Sequence, residues 1–488
     1  MKKNSTNSPI VAATASFAAA NRLDFFVVGG AVRDALLGRA RPDKALNLDF
    51  AIPSGALAAA RRLAAHLHGT YVLLDEEMGS ARIIADDGGA RIELDLSDFR
   101  GPTLEADLRL RDFTINAMAV PLAAWCAGSW ESELVDPTEG RRDLAARTLR
   151  ACFPGTFEED PLRILRAFRF ASELMCAWDP ALPGLLQAAA PGLARVSGER
   201  IRDELFGIFH TDYASHAVRE MERLGLIEVL FPELVPGRGM DQGGFHHLNV
   251  LEHQLETIAQ CDRVLKDFAE FSPDLREPMA RYVEAHPVEP RSIKAMIKLG
   301  GLLHDVGKPA TKRVKEDGQI WFLGHEHFGA ELVTAVGERL KLSNREAQTL
   351  WKLVLYHLRP GHLSRAPVLT RRAIFRFYRD LEEDGPACLF VWWADRLSTL
   401  GPLSHVNQID QQRAFLEELF RAYFFKPEEA VRPPKLIDGN ELMKELSLPP
   451  SPKIGTLLSA IQEAQAEGSV SSRDEALALA RSLLASDG

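Results

Sequence analysis

The sequence has few cysteines, and none of them lies in a Cys-x-x-Cys pair. Neither a zinc ribbon nor a disulfide framework is therefore indicated, and we expect buried, reduced thiols in a cytoplasmic protein. No segment approaches the ~20 consecutive apolar residues that a membrane span requires. A basic excess is also lacking, because the formal net charge is −10, which excludes a uniformly basic nucleic-acid coat but permits local basic strips.

What is present is a long chain of ordinary globular composition. Its 488 residues, 46% hydrophobic and 26% charged, predict several domains at roughly 100–200 residues each. Lys2 and Lys3 precede a small-residue stretch, 10–20, that faintly resembles a signal peptide. Polar residues interrupt the segment before it, so we expect a frayed end that leads into a short helix.

The hydrophobic pattern predicts an α+β protein, with a mixed α/β first part and an all-helical remainder. The apolar run 25–28 ends at Gly29-Gly30 and is followed by a helical and then an alternating segment. Strands are predicted at 25–28, 46–52, 71–74, 81–85 and 90–96, and helices at 31–37, 56–68, 157–174, 185–210, 214–230 and over most of 248–425.

One predicted strand carries possible metal ligands. Alternation places Asn47 and Asp49 on one face, and a neighbouring strand offers Glu93 and Asp95, of which we choose Asp95. Carboxylates arranged in this way can share divalent metals between a 3′-hydroxyl and a nucleoside triphosphate. The Gly29-Gly30 turn before a helix lets backbone N–H groups approach a phosphate. We therefore interpret Asp49, Asn47 and Asp95 as the catalytic set.

Three longer motifs follow in order. They are Gly-Gly-Ala-Val-Arg-Asp-Ala-Leu-Leu-Gly (29–38) with Leu-Asp-Phe (48–50), Leu-Arg-Asp-Phe-Thr-Ile-Asn-Ala-Met (110–118), and Phe-Glu-Glu-Asp-Pro-Leu-Arg-Ile-Leu-Arg-Ala-Phe-Arg-Phe (157–170). Together they resemble the class II tRNA nucleotidyltransferase and bacterial poly(A) polymerase family. The resemblance covers about 24–482 and implies a nucleotidyltransferase head that binds CTP, ATP and tRNA.

The resemblance implies roles for individual residues. Asp49, with Asn47, would bind catalytic Mg²⁺, and Asp160 and Arg163 would present a Watson–Crick-like edge that selects C or A. The helical i+3 spacing of the last three arginines also predicts one basic ridge suited to phosphate. The implied nucleotide-binding set is Gly29, Gly30, Arg33, Asp34, Arg111, Asp112, Asn116, Asp160, Arg163, Arg166 and Arg169.

The sequence departs from the family pattern at two positions. The family has Asp-x-Asp where this chain has Asn47-Leu48-Asp49, and an amide oxygen can ligate a metal without neutralising its charge. The preceding loop, 39–46, is longer than usual and contains Asp43, a possible substitute. Leu110 replaces the first arginine of the Arg-Arg-Asp motif. Both departures affect residues of the expected chemistry, and neither affects the predicted fold of the head.

The region that follows the head is predicted to contact RNA. It resembles the neck helices of the family, and Ser197 is a plausible N-cap there. Little aromatic interleaving is present, so shape reading of a tRNA acceptor stem is favoured over base stacking. The basic residues that form the strip are Arg141, Arg142, Arg147, Arg150, Arg195, Arg200 and Arg202.

A second set of possible metal ligands lies between 240 and 400. His253, His304, Asp305 and Asp395 form an H…HD…D pattern, and 302–309 resembles the signature of HD-domain phosphohydrolases. Such N/O ligands suit Mn, Ni, Fe or Mg better than structural zinc. His325 with Glu326, and His357, offer ligands for a second metal. The histidines taken as ordinary surface or core residues are His246, His247, His286 and His405.

These observations lead to one main hypothesis, with alternatives inside the same family and in two other functional classes. We expect Mg²⁺-dependent transfer of CMP and AMP to a tRNA 3′ end, with a possible HD phosphohydrolase activity. Addition of A alone, of CC alone or of poly(A) stays open, as does an HD hydrolase whose weakened head only holds RNA, or a non-catalytic RNA-binding protein. The predicted division is a flexible segment (1–23), head (24–150), neck (151–235), HD-type body (236–425), and linker with helical tail (426–488).

Overall fold

The computed structural model describes residues 8–39, 46–244, 246–285, 291–366, 368–399, 408–431 and 433–486. The chain divides into two compact units, Met1–Val196 and Ser197–Gly488, while the finer division into five segments stays a prediction. Asp43, His286 and His405 lie outside the described residues. Among the helices that are described, none is long and apolar enough to cross a membrane.

The first unit alternates short strands with helices. Three 3-10 helices, Thr114–Asn116, Trp130–Glu133 and Ala190–Arg195, supplement them. In chain order the elements are α1 (Pro9–Ala20), β1 (Phe26–Val28), α2 (Gly30–Leu36), β2 (Leu46–Ile52), α3 (Ala56–His66), β3 (Thr70–Asp75), β4 (Ser80–Asp86), β5 (Arg91–Asp98), α4 (Leu104–Arg109), β6 (Ala119–Pro121), α5 (Leu122–Ala127), α6 (Gly140–Ala145), β7 (Thr148–Leu149), α7 (Thr156–Glu159), α8 (Leu162–Leu174), β8 (Ala177–Trp178) and α9 (Leu182–Ala189).

A six-stranded sheet forms the framework of this unit, in the order β3-β4-β5-β2-β1-β6. β2 and β5 run parallel, which sets Asn47 opposite Glu93 and Asp49 opposite Asp95. β4 runs antiparallel to β5 and sets Arg82 opposite Asp95. Because side chains alternate along a strand, these polar groups share one face of the sheet. The predicted pairing of the acidic strands is confirmed.

One helix prediction is confirmed and one needs correction. The short helix expected after the N-terminal end forms as α1, in which Val11 and Phe17 are buried. The single helix expected over 157–174 is interrupted between α7 and α8, where Asp160 is extended (φ −138°, ψ 98°). Pro161 disfavours helical backbone at the residue before it, which explains the break. Asp160 thereby caps the helix start, since its Oδ1 accepts a hydrogen bond from the backbone N–H of Leu162 at 3.2 Å.

The cysteines are free, but they are not all buried as expected. Cys176, Cys261 and Cys388 are buried, whereas Cys126 and Cys152 are partly exposed. Burial raises the pKa of the Cys261 thiol to about 12, so this thiol stays protonated at neutral pH. The thiols are consistent with a structural role.

The second unit is helical apart from one short hairpin that the sequence did not predict. It also contains 3-10 turns at Pro232–Gly237 and Glu382–Asp384 and a π-helix at Pro427–Val431, inside the predicted linker. The elements are α10 (Gly198–His210), α11 (Ala214–Arg223), α12 (Ile227–Leu230), α13 (Val250–Asp267), α14 (Pro273–Val283), α15 (Ile293–Leu303), α16 (Lys308–Thr311), β9 (Arg313–Val314), β10 (Ile320–Trp321), α17 (His325–Arg339), α18 (Asn344–Tyr356), α19 (Arg359–Ser364), α20 (Arg371–Leu381), α21 (Gly385–Ser398), α22 (Ile409–Phe425), α23 (Gly439–Leu446), α24 (Pro452–Glu467) and α25 (Arg473–Ser486).

Two apolar clusters organise these helices. The larger one joins α13, α14, α20, α21 and α22 through large aromatic side chains such as Phe271, Phe390 and Phe420. The smaller one, which includes Leu442 and Ile461, holds α23, α24 and α25 together. α25 begins at the predicted capping box, because Ser472 and Glu475 exchange hydrogen bonds of 3.1 and 3.3 Å.

Candidate active sites

The acidic strands of the first unit carry an ion-paired network. The Arg82 guanidinium donates to both carboxylate oxygens of Asp95 at 2.8 Å and lies 2.9 Å from Glu93 Oε2. Burial raises the pKa of Asp49, and the neighbouring Asp95 carboxylate raises it further. Asn47 is exposed on the same face. The site therefore combines two adjacent carboxylates, a neutral amide and an arginine that the sequence did not indicate.

The Gly29 turn closes over these acids. Gly29 has φ +71°, a conformation that favours glycine, and a Cβ there would lie 3.3 Å from Asp49 Oδ2 and 4.0 Å from Arg111 Nη1. Arg111 in turn donates to Asp107 Oδ2 at 2.9 and 3.1 Å. The structure thus brings together Gly29, Asp49 and Arg111, three residues of the predicted site.

A cluster of arginines forms the other part of the site. Arg33 donates through Nη1 to Asn116 Oδ1 at 2.8 Å and through Nε to Asp34 Oδ1 at 2.9 Å. Asn116 Nδ2 donates to Asp112 Oδ1 at 3.3 Å, and Arg166 donates twice to Asp112 Oδ2 at 2.7 and 2.9 Å. The motif residues of three separate segments therefore meet in one hydrogen-bonded network.

Asp112 is the buried anion of that network. Burial alone would raise the pKa of this carboxyl, but the adjacent Arg166 guanidinium overrides burial and lowers the pKa to about 2. Asp112 is only 8% exposed, so the charge pair is well shielded from water. The carboxylate fixes the Arg166 guanidinium in place.

The predicted basic ridge is divided between two environments. Arg163 is buried and donates from Nη1 to Thr156 Oγ1 and to Glu159 Oε2, each at 2.8 Å. Arg166 and Arg169 instead lie over the Phe170 ring. On a helix of 3.6 residues per turn, each step of three residues falls roughly 60° short of a full turn. The three arginines therefore do not lie along one line on the helix surface. The single ridge expected from spacing is therefore wrong.

The predicted arginine strip is more neutral than its composition suggests. Arg141 lies 3.3 Å from Glu131, Arg142 lies 2.5 Å from Glu139, and Arg150 lies 2.7 Å from Asp143. Arg202 similarly lies 2.9 Å from Asp203. Such pairing reduces the charge that these residues offer to a phosphate backbone.

The second unit gathers histidines and aspartates around one buried point. Ligand atoms of His253, His304 and Asp395 lie within 4.8 Å of one another, as do those of Asp305, His325 and His357. Asp305 joins the two groups, because its Oδ2 lies 3.1 Å from His304 Nε2 and its Oδ1 lies 3.2 Å from His325 Nε2. The predicted H…HD…D set is brought together, and the two additional histidines complete a second group.

The histidine tautomers are set by the backbone. Nδ1 of His304 lies 2.8 Å from Gly301 O, and Nδ1 of His325 and His357 lie 2.7 Å from the carbonyls of Phe322 and Val354. A carbonyl only accepts, so each Nδ1 carries a proton and each Nε2 faces the carboxylate of Asp305 at the centre. The buried Nε2 atoms of His253 and His304 make no well-formed hydrogen bond. Such unsatisfied buried nitrogens fit a divalent metal.

The charges of this centre are strongly coupled. Burial opposes a proton on His304, but Asp305 raises its pKa to about 10. Burial alone would raise the pKa of Asp305. The neighbouring His304 and Lys308 outweigh burial and hold this pKa well below its usual range. Lys308 Nζ lies 2.5 Å from Asp305 Oδ2 and donates to Gln242 Oε1 at 2.6 Å. The centre is a concentrated polar site inside an apolar helical body.

Sequence reasoning missed one histidine beside this centre. The His246 ring packs edge-on against His253, with centroids 4.7 Å apart, although we had assigned His246 to the ordinary background. Its Nδ1 is buried without a hydrogen-bond partner. His246 lies seven positions before His253 in the sequence. Nothing in the local spacing of His246 predicts that the two rings come into contact.

Comparison with protein families covers three parts of the chain. Residues 25–150 match the poly A polymerase head domain, 180–237 match the "probable RNA and SrmB-binding site of polymerase A", and 250–400 match the HD domain. The matched head contains the acidic strands, and the matched HD region contains both groups of ligands.

Curated relatives align with almost the whole chain. The A-adding tRNA nucleotidyltransferase of Deinococcus radiodurans is 34% identical over 458 residues, covering 93% of this chain and 94% of the relative. The CC-adding tRNA nucleotidyltransferase of Thermus thermophilus is 33% identical, covering 93% and 92%. A CC-adding enzyme of Geobacter sulfurreducens is 30% identical, covering 96% and 94%.

Solved structures share the fold at lower identity. A CCA-adding enzyme in complex with ATP aligns with TM-score 0.62 and 20% identity over 98% of this chain and 95% of that one. The Thermotoga maritima CCA-adding enzyme complexed with tRNA aligns with TM-score 0.60 and 20% identity, over 99% and 97%. The α+β architecture, with its mixed head and helical remainder, is thereby confirmed.

Proposed function

The chain belongs to the tRNA nucleotidyltransferases that carry a poly(A) polymerase head and an HD domain, and we propose that it adds CMP and AMP from CTP and ATP to the 3′ end of tRNA. The observation that carries this proposal is the meeting of Asp49 and Asp95 at the Gly29 turn, in the unit where Arg33 and Arg166 form a cationic network. An acidic pair suits metal-dependent attack, and a guanidinium network suits a triphosphate.

The head residues fit a divalent cation. Burial and the neighbouring Asp95 both raise the pKa of Asp49, and a cation bound beside the two carboxylates would neutralise that repulsion. Asp49 and Asp95, with the amide oxygen of Asn47 as a weak third ligand, would hold Mg²⁺. When bound, the ion supplies Lewis-acid activation of the 3′-hydroxyl and charge neutralisation at the triphosphate.

The arginine network would orient the nucleotide. Arg33, Arg166 and Arg169 would bind triphosphate oxygens, because guanidinium groups stay charged and form paired hydrogen bonds with phosphate. Gly29 and Gly30 leave room for the nucleotide to approach the backbone. The release of pyrophosphate then depends on positioning and electrostatic stabilisation rather than on a covalent intermediate.

Base selection is assigned to Asp160 and Arg163. The Arg163 guanidinium is held by Thr156 and by the partly exposed Glu159 carboxylate, so recognition of a base edge requires that it exchange the Glu159 contact. A side-chain edge that selects C or A without a template accounts for two substrates at one site.

The test is incorporation of labelled CTP and ATP into tRNA that lacks its terminal CCA, with Mg²⁺. We expect the wild type to incorporate both nucleotides. Asp49→Asn should reduce the rate of incorporation by about a thousandfold, because the loss of one negative charge from a metal ligand destabilises mainly the transition state. Asp86→Asn, an exposed acid on β4, is the matched control and keeps full rate. Absence of incorporation by the wild type under every divalent metal would sink the proposal.

The same assay separates the narrower alternatives within the family. Relatives of this chain include both A-adding and CC-adding enzymes. Three tRNA substrates that end before C74, after C75 and after A76 distinguish them by which nucleotide is added to which end. Incorporation of A into the second substrate, with no C added to the first, would establish an A-adding enzyme, and long A tails would establish a poly(A) polymerase.

The six-ligand centre of the second unit favours a second activity, metal-dependent hydrolysis of a phosphate ester. Its ligands suit Mn, Ni, Fe or Mg, and Asp305 lies between two ligand groups. We expect hydrolysis of 2′,3′-cyclic AMP with Mn²⁺ or Ni²⁺ that is lost in Asp305→Asn and kept in His327→Ala, whose side chain is 74% exposed. If the wild type shows only hydrolysis, and Asn47→Asp restores nucleotide transfer to tRNA, the wild-type head serves to hold RNA.

A further inference from the structure

Three arginines of the first unit surround one buried aromatic ring. The guanidinium carbons of Arg33, Arg166 and Arg169 lie 5.2, 5.1 and 4.4 Å from the centroid of Phe170. Each distance is within the range in which a cation is attracted to the face of an aromatic ring. Phe170 itself is only 4% exposed, so this attraction acts where water screens little.

A second aromatic ring contacts Phe170. Phe113 packs edge-on against Phe170, with centroids 5.8 Å apart and an interplanar angle of 81°. Phe113 follows Asp112, the buried carboxylate that holds Arg166. The two motif segments 110–118 and 157–170 are therefore joined by an aromatic contact that involves the same ring as the arginines.

Three guanidinium groups at one place repel one another. Each has a carboxylate neighbour, since Asp34 pairs with Arg33, Asp112 with Arg166 and Glu173 with Arg169. Those carboxylates belong to three different segments, whereas the Phe170 ring is common to all three cations. One aromatic ring can hold like charges near it without competing, as an anion would, for their hydrogen-bond donors.

We propose that Phe170 is a positioning residue for nucleotide binding, which aligns Arg33, Arg166 and Arg169 as one surface for the triphosphate. The inference rests on the proposed role of these arginines. It predicts an effect that is common to ATP and CTP, because the ring acts through the phosphate-binding groups and not through the base.

The chain offers a matched control on the same helix. Phe168 is also buried, at 1% exposure, and its ring packs edge-on against Trp178 at 5.1 Å. Among the described residues, no arginine lies over the Phe168 ring. Phe→Leu at either position removes the same atoms from the same helix. Only the substitution at position 170 removes a ring that the arginines contact.

The experiment measures binding of ATP and of tripolyphosphate by calorimetry, together with kcat and KM for incorporation. We expect Phe170→Leu to weaken binding of ATP, CTP and tripolyphosphate by about tenfold, equivalent to about 1.4 kcal/mol, with kcat within about threefold. Phe170→Tyr retains the ring and stays within about twofold of wild type, as does Phe168→Leu. Circular dichroism checks that each variant is folded.

The outcomes separate this proposal from the proposed function. Equal weakening by Phe168→Leu and Phe170→Leu, a tyrosine variant as weak as the leucine variant, or a loss confined to one base would each overturn the positioning role. A wild type whose tripolyphosphate binding depends on Phe170, yet which incorporates no nucleotide, would sink the transferase and keep the positioning role. Incorporation with nucleotide binding unaffected by Phe170→Leu would do the reverse.

Discussion

Removal of the buried charge at Asp112 should destabilise the head. The fold lowers the pKa of this carboxyl from 3.8 to about 2, and each pKa unit is worth about 1.36 kcal/mol. Asp112→Asn should therefore cost about 2 kcal/mol of the free energy of unfolding at pH 7. Arg166 is one-third exposed and can turn to water, which keeps the penalty for its lost partner small.

The pH dependence has a definite sign. Because the folded-state pKa lies below the unfolded one, the carboxylate stabilises the fold above pH 3.8, and this stabilisation is lost as pH falls through about 2. The difference between wild type and Asp112→Asn should thus be constant from pH 7 to about 5 and shrink below about 4.

Native-state hydrogen exchange of peptides from β2 measures the opening free energy of the head without interference from the second unit. Glu131→Gln is a suitable control, because Glu131 is 63% exposed and its contact with Arg141 is a surface pair of at most about 1 kcal/mol. A loss below about 0.5 kcal/mol in Asp112→Asn, or one equal to the control, would refute the view that the buried pair is stabilising.

Three further predictions concern other parts of the chain. Asn47→Asp should lower the Mg²⁺ concentration for half-maximal incorporation by about tenfold, since a second charged ligand is added; no change would mean that position 47 does not face the metal. Gly307→Ala should lose divalent-metal binding by the second unit, measured by calorimetry, because a Cβ there would lie 2.1 Å from His325 O, whereas Gly455→Ala has open space and should bind normally. Glu463→Gln should speed proteolysis of the helical tail, since Glu463 accepts from three arginines of α20 and has a pKa of about 2; unaltered proteolysis would show that the apolar cluster suffices.

The sequence predicted those parts of the site that depend on local periodicity. Strand alternation put Asn47 and Asp49 on one face, and the later pairing of β2 with β5 made Asp95 their neighbour, as expected. Arg82 could not be predicted, because its place opposite Asp95 depends on the register between β4 and β5.

Other features depend on tertiary packing and left no local signal. The i+3 spacing suggested that Arg163 would join Arg166 and Arg169, but burial against Thr156 turned it away. In the second unit, the H…HD…D pattern indicated His253, His304, Asp305 and Asp395, four of the six candidate metal ligands. The approach of His246 to His253 was not foreseeable, since a loop residue carries no periodicity.

The position of the acids within the sheet has a consequence for motion. Asp49 and Asp95 lie on β2 and β5, the two innermost strands in the order β3-β4-β5-β2-β1-β6, which are hydrogen-bonded on both sides. Arg33, by contrast, lies on α2, a helix of only seven residues. Interior strands open with the domain as a whole, while short helices fray locally. The acids would therefore form a fixed wall beside a bound nucleotide, whereas Arg33 depends for its position on its contacts with Asn116, Asp34 and the Phe170 ring rather than on its helix.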